Sequence, residues 1–234
     1  MPNLPISGLP AGGAVTAADP FPTDQAGVTV QVPASALATY ALAQLGAAHP
    51  GYVSGRYYSS SPRIAAGANL SVAADTIYYT PLMIFKAVTI DAFGMRNGSA
   101  NATAANANMA IYAGTAAGAP GAKLFDVATG IVIPGTANTG VIPTIGGGPQ
   151  LMPIGCYWIA IQYDNTPQVL AAALENSMMG WIGGSTNVPS GFFAASAQIP
   201  GFSQALAYAS GLPANATPVA YGAGNEPTAV FRPA

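Results

Sequence analysis

Apolar and polar residues alternate with a period of two over short stretches of the chain. Gly27-Val28-Thr29-Val30-Gln31-Val32 does so until Pro33, which predicts a strand. A helical period follows. Ser35 is placed to cap a short helix from about Ala36 to Leu45, with Leu37, Ala41, Leu42 and Leu45 on one face and Gly46 at its end. His49-Pro50-Gly51 then breaks the chain. Ahead of these elements the sequence is rich in Pro, Gly and Ala, as in Leu9-Pro10-Ala11-Gly12-Gly13-Ala14 and Asp19-Pro20-Phe21-Pro22. Such a segment cannot build a core of its own and suits an extended arm lying on another surface.

From about residue 52 the pattern is that of β-structure. Arg56–Ser59 reads as a short aromatic strand, and Thr76–Phe85 as a strand or strand pair in which Pro81 marks an edge or a bend. Ala87–Met95 alternates, placing Val88, Ile90 and Ala92 on one face and Thr89, Asp91 and Phe93 on the other. Asn97–Asn108 reads as a loop and Asn108–Tyr112 as a strand. Ala116–Ala122 reads as a turn region, followed by strands at Lys123–Asp126 and Ile131–Ile133. The strongest strand is Gly155–Tyr163. Gly180–Ile182 and Phe192-Phe193 are shorter pieces, and Pro167–Leu174 is the second helical candidate. Many short strands between turn signals predict an all-β sandwich or barrel over 52–234, preceded by an arm with a short helix over 1–51.

Composition narrows the function. Of 234 residues only 6% are charged, 6 basic and 8 acidic, against roughly 25% in ordinary soluble proteins. The resulting net charge of −2 argues against nucleic acid and anionic membranes as partners. A weakly charged surface is poorly protected against association, so much of it is expected to be covered by copies of the chain, as in a homotrimer, or by partners. The 28 Gly and 21 Pro reinforce the expectation of many turns. The single Cys156 excludes an intrachain disulfide and reads as a small buried hydrophobe. Met1-Pro2-Asn3-Leu4-Pro5 lacks the basic and apolar regions of a secretory signal, and no stretch approaches the roughly 20 apolar residues of a membrane helix. Synthesis in a bacterial cytoplasm, with release of assembled particles by lysis, fits that reading.

Catalytic chemistry finds little support. A Ser-His-Asp triad requires a histidine, and His49 lies in the Pro-Gly break. One Cys and one His cannot make a zinc site. Outside the arm Asp75, Asp91, Asp126, Asp164, Glu175 and Glu226 form no local pair of the kind glycan cleavage requires. Asp164-Asn165 and Asn225-Glu226 are oxygen-rich pairs, but Asx turns explain them without a calcium ion. Gly146-Gly147-Gly148 runs into Pro149 with no lysine nearby, so it reads as a turn and not a phosphate cradle. No metal and no cofactor is expected, and the chain does not read as an enzyme. Glycan binding is a live option, because aromatic faces stack on sugar rings. Trp181, Tyr208 and Tyr221 lie in Gly-, Ser- and Asn-rich surroundings. Trp158 and Tyr157 sit in the strongest strand, where one of the two should point into a core.

Two stretches carry a family resemblance. Ile6-Ser7-Gly8-Leu9-Pro10-Ala11, with Ala18-Asp19, Phe21-Pro22, Gly27–Val30 and Leu37–Tyr40, resembles the leader of many phage fibre proteins. It departs from the usual form in having Pro20 after Asp19. The resemblance implies that Ile6, Leu9, Pro10, Phe21, Val28 and Val30 anchor the chain to a virion. The second stretch comprises Asn69–Ser71, Asp75–Pro81, Val88–Asp91, Ala110–Tyr112, Pro120–Leu124 and Pro153–Ala160. This order is similar to a jelly-roll module of phage tail-fibre and head-fibre proteins. It implies a two-sheet jelly-roll β-sandwich, often trimeric, facing the host or the outside of the particle; it names no ligand, and host surface polysaccharide enters as an expected partner only through the candidate stacking aromatics. The expectation is therefore a fibre or spike subunit of a phage-like virion that contacts capsid, portal or tail proteins. The alternative is a capsid decoration or spike-base protein with a mainly structural role.

Overall fold

The structure, a computed structural model, describes residues 20–25, 28–46, 51–60, 68–98, 104–172, 201–221 and 226–234. Two compact units divide the chain, residues 1–50 and 51–234.

In the first unit, β1 (Pro20–Gln25) and β2 (Val28–Pro33) form an antiparallel hairpin with Phe21 opposite Val32 and Asp24 opposite Thr29. The Phe21-Pro22 stretch, expected to be extended without a partner, is thus a strand. A two-stranded sheet has only edge strands, so Pro20, Pro22 and Pro33 are tolerated where an inner strand would reject them. Helix α1 (Ala34–Gly46) follows directly. It starts before the expected cap, so Ser35 lies in its first turn, where its carbonyl accepts the Thr39 hydroxyl at 2.8 Å.

The second unit is all-β. Its strands are β3 (Tyr58–Ser59), β4 (Ala68–Ser71), β5 (Thr76–Ile84), β6 (Val88–Arg96), β7 (Ala105–Gly114), β8 (Pro120–Ile133), β9 (Gly140–Val141) and β10 (Gln150–Met152). After these come β11 (Gly155–Tyr163), β12 (Gln168–Ala172), β13 (Gly201–Ala205), β14 (Val219–Tyr221), β15 (Glu226–Pro227) and β16 (Val230–Pro233). Four antiparallel pairings define the fold: β3 with β16, β5 with β11, β6 with β10, and β7 with β8. In chain order those eight strands pair first with last, second with seventh, third with sixth and fourth with fifth. They form one long hairpin ribbon. Rolling that ribbon up brings β16 beside β6 and β11 beside β7. The result is two sheets, β10-β6-β16-β3 and β5-β11-β7-β8, which is a jelly-roll sandwich. Strands β13 and β14 extend the second sheet beyond β5, while β4, β12 and β15 form a small third sheet.

The main core lies between the two sheets. Ile159, Ile161 and Tyr163 of β11 enter it with Leu82, Ile84, Ile90, Phe93, Met109, Ile111 and Phe231, all essentially inaccessible to solvent. The alternate residues of β11, Trp158 and Ala160, point the other way into a second cluster with Ile77, Tyr79, Ala110 and Tyr112. The segment 201–217 covers this opposite face through Phe202, Leu206, Leu212 and Ala216. It is tied at both ends. Leu206 N–H donates to the Asp75 carbonyl, and Ala216 N–H to the Gly121 carbonyl. Strands β5, β11 and β7 are therefore buried on both faces where this segment crosses them, while β8 keeps an exposed face with Leu124 and Val132.

Several elements differ from the sequence expectation. In β6, Phe231 and Arg232 stand opposite Phe93 and Ala92, but Pro233 stands opposite Ile90. Asp91 is the extra residue of a β-bulge, which reverses the alternation. Val88 and Ile90 before it, and Phe93 and Met95 after it, therefore share the main core, although strict alternation put Phe93 on the opposite face. The loop expected up to Asn108 gives way to strand from Ala105, because Asn106 is satisfied by the Asp164 carboxylate through its N–H and its Nδ2, both at 2.7 Å. The two strands expected at 123–126 and 131–133 are one bulged strand, β8, whose turn-like middle is absorbed by Gly130 at φ +63°. Pro167–Leu174, expected as a helix, contains β12, which pairs with β4 and β15 and whose Val169 is buried in the main core. Pro81 lies within a continuous β5, past the stretch paired with β13. The short pieces expected at 180–182 and 192–193 lie outside the described residues.

Candidate functional site

The two described candidate aromatics, Tyr208 and Tyr221, are not gathered in one place. Trp181 lies outside the described residues. Tyr208 opens a 3-10 helix (Tyr208–Ser210) just past the end of β13 and is half-buried. Its N–H donates to Asp75 Oδ1 at 2.7 Å. Burial raises its hydroxyl above the usual tyrosine range, and the nearby Asp164 charge adds to that. Tyr221 ends β14 opposite Gly201, at the other end of β13. Trp158 is fully buried, while Tyr157 is half-buried with its hydroxyl donating to the Pro153 carbonyl at 3.1 Å. Of the anchoring candidates, Ile6, Leu9 and Pro10 lie outside the described residues. Phe21 is exposed in β1, and Val28 and Val30 stand opposite Gln25 and Thr23 in the hairpin.

Every described aspartate of the sandwich is held by a neighbour. Asp75 takes the Tyr208 N–H, Asp126 pairs with Lys123 at 3.0 Å, and Asp164 accepts the N–H and the Nδ2 of Asn106. Asp91 accepts Arg232 Nε at 2.8 Å and Nη2 at 2.9 Å, a bidentate pair. Those bonds hold its carboxyl below the usual range. No cluster of three metal-ligating side chains occurs among the described residues. Cys156 is half-buried and forms no disulfide, so it is less enclosed than the strand pattern implied.

One concave surface emerges that the sequence did not disclose. Gly94 alternates with Phe93 and Met95, both in the main core, so it faces outward from β6. A pocket of about 230 Å³ opens there, lined by Gly94, Arg96, Ile142, Val230 and Tyr57 among others. The Asp91–Arg232 pair lies beside it, because Tyr57 Oη accepts Arg232 Nη1 at 3.3 Å. These residues come from positions up to 175 apart in the chain. They meet only because the ribbon rolls β16 against β6, and no local motif announces that.

No protein-family model and no curated protein matches the chain. Among solved structures, the infectious bursal disease virus VP2 subviral particle aligns over 69% of this chain and 39% of that one, at 13% identity and a TM-score of 0.31. The T13 IBDV viral particle aligns over 94% of this chain and 44% of that one, at 11% identity and a TM-score of 0.29. The chain thus spans less than half the length of either. TM-scores of this size do not establish a common fold, and the jelly-roll assignment rests on the strand pairings alone.

Proposed function

We propose that the chain is a structural subunit of a phage or phage-like particle, a fibre or spike protein. Its first fifty residues attach it to other virion proteins, and its jelly-roll is displayed as a homotrimer for adhesion to host surface polysaccharide. The observation that carries the attachment role is α1. Its thirteen residues, ASALATYALAQLG, include no charge, and Leu37 and Tyr40 are exposed, Tyr40 at 66%. A lone two-stranded hairpin and a helix of this length are each marginal in water. An uncharged helix with exposed apolar residues gains stability by docking on a partner surface. The leader-like sequence of residues 6–40 supports the same reading. The engagement of Asp75, Asp91, Asp126 and Asp164 in structural bonds favours adhesion over glycan cleavage. Adhesion through several weak sites on a trimer would be multiplied by avidity.

The test is binding of the fluorescently tagged chain to bacterial cells with and without capsular polysaccharide. Capsule-dependent labelling is expected. An absence of labelling at concentrations where trimers are verified would replace adhesion by a decoration or spike-base role.

A further inference from the structure

We infer that residues 206–217 form a strap that opens as one unit while the jelly-roll beneath it stays folded. This goes beyond the proposed function and does not depend on it. The segment leaves β13 after Ala205 and returns to it at Thr217, whose N–H donates to Gln204 Oε1. It is therefore a surface loop with its ends close together, of the Ω-loop kind. None of its residues is buried: each is half-buried or exposed. The apolar cluster under it, Ile77, Tyr79, Ala110, Tyr112, Trp158 and Ala160, is separate from the main core between the sheets. Leu206, Leu212 and Ala216 pack on this smaller cluster. The closed cluster also carries a desolvation penalty, because Trp158 Nε1 is buried with no acceptor among the described residues.

The hydrogen bonds that hold the strap lie outside the pairings that define the sandwich. Leu206 N–H donates to the Asp75 carbonyl and Tyr208 N–H to Asp75 Oδ1. Gln162 Nε2 donates to the Leu206 carbonyl and Tyr112 Oη to the Pro213 carbonyl. On the edge strand β8, Lys123 donates from its N–H to the Ala214 carbonyl and from Nζ to the Leu212 carbonyl, while the Gly121 carbonyl accepts Ala216 N–H. Breaking all of these leaves β3–β16, β5–β11, β6–β10 and β7–β8 paired as before. Each released donor or acceptor meets water, so its net loss is modest. A segment with few buried apolar contacts and a solvent-facing backbone belongs to the low-stability end of a fold. Its opening uncovers part of the sheet face that carries Tyr79, Tyr112 and Trp158.

The experiment is native-state hydrogen exchange of the full chain by NMR, at urea concentrations below the unfolding transition. The strap amides of Leu206, Tyr208, Ala216 and Thr217 should converge on one urea-dependent opening. The amide of Lys123 should join them, although it belongs to β8, because its acceptor is the strap's Ala214 carbonyl. Protection of these five should be at least about tenfold below that of Ile159 and Ile161 in β11. Ile161→Val, a substitution in the main core, should reduce β11 protection roughly 2- to 12-fold and leave the five amides unchanged. Strap amides as protected as those of β11, five unrelated urea dependences, or loss of strap protection in step with β11 in the variant would each overturn the inference. The first two outcomes are read on the unmodified chain, so they decide the matter even if the variant misfolds.

Discussion

Asp75 holds φ at +55°, in a left-handed region that costs a non-glycine residue roughly 1–2 kcal/mol. It is kept there by three contacts. Its N–H donates to the Tyr163 carbonyl, its carbonyl accepts Leu206 N–H, and its Oδ1 accepts Tyr208 N–H. The side chain both tolerates the turn and pins the start of the covering segment. Asp75→Ala should destabilise the sandwich by about 1–2 kcal/mol, since it loses the exposed hydrogen bond from Tyr208 N–H and keeps the left-handed turn without a side chain that tolerates it. Asp75→Asn, which keeps an acceptor and tolerates the left-handed region, should recover most of that loss. Urea unfolding of the two variants measures it. Asp91 makes a pH-dependent contribution. Arg232 lowers its folded carboxyl below the ordinary value of 3.8, so the pair contributes fully above that value and is lost as pH falls through the folded one. Its partial exposure makes the contribution small. Wild type and Asp91→Asn should differ modestly near neutrality and converge in strong acid.

Among the elements, the strand most legible in the sequence was β11, because its strict alternation buries both sets of side chains in two different clusters. The least legible was the covering segment 201–217. Its buried contacts, Phe202, Leu206, Leu212 and Ala216, follow neither a helical nor a strand period, since they come from an irregular strap crossing a sheet. β6 was half legible: a single bulge residue inverted its faces. β12 was misread as helix because the Ala-rich run 171–173 carries helical propensity, which pairing with β4 and β15 overrides. The outward pocket was invisible to sequence, since its residues are brought together by ribbon closure alone.

The strap makes a further testable contribution at this scale. Gln204 Oε1 accepts both the buried Tyr79 hydroxyl at 2.9 Å and Thr217 N–H at 3.0 Å. Gln204→Ala should cost about 1–3 kcal/mol by orphaning them, read from thermal or urea unfolding. Burial raises the hydroxyls of Tyr79, Tyr112 and Tyr163 above their ordinary value of 10.0. Their stabilising contribution is complete below pH 10 and falls as pH rises above it, because the unfolded chain then releases protons that the folded chain retains. An absorbance titration should therefore show these tyrosines ionising only as the fold is lost.

At the scale of the whole molecule, low charge and divided architecture point the same way. The jelly-roll closes its own core and covers part of one sheet with its strap. The first unit offers a hairpin and an uncharged helix with exposed apolar residues. On the proposed function, this first unit docks the molecule and contributes nothing to folding of the second. The most direct test deletes residues 1–50 and follows two readouts together, cooperative urea unfolding of the remaining chain and its presence in purified particles. The expected outcome is an unfolding transition and near-ultraviolet spectrum close to those of the full chain, with no incorporation. Particles that carry the truncated chain at the full-length level would contradict it.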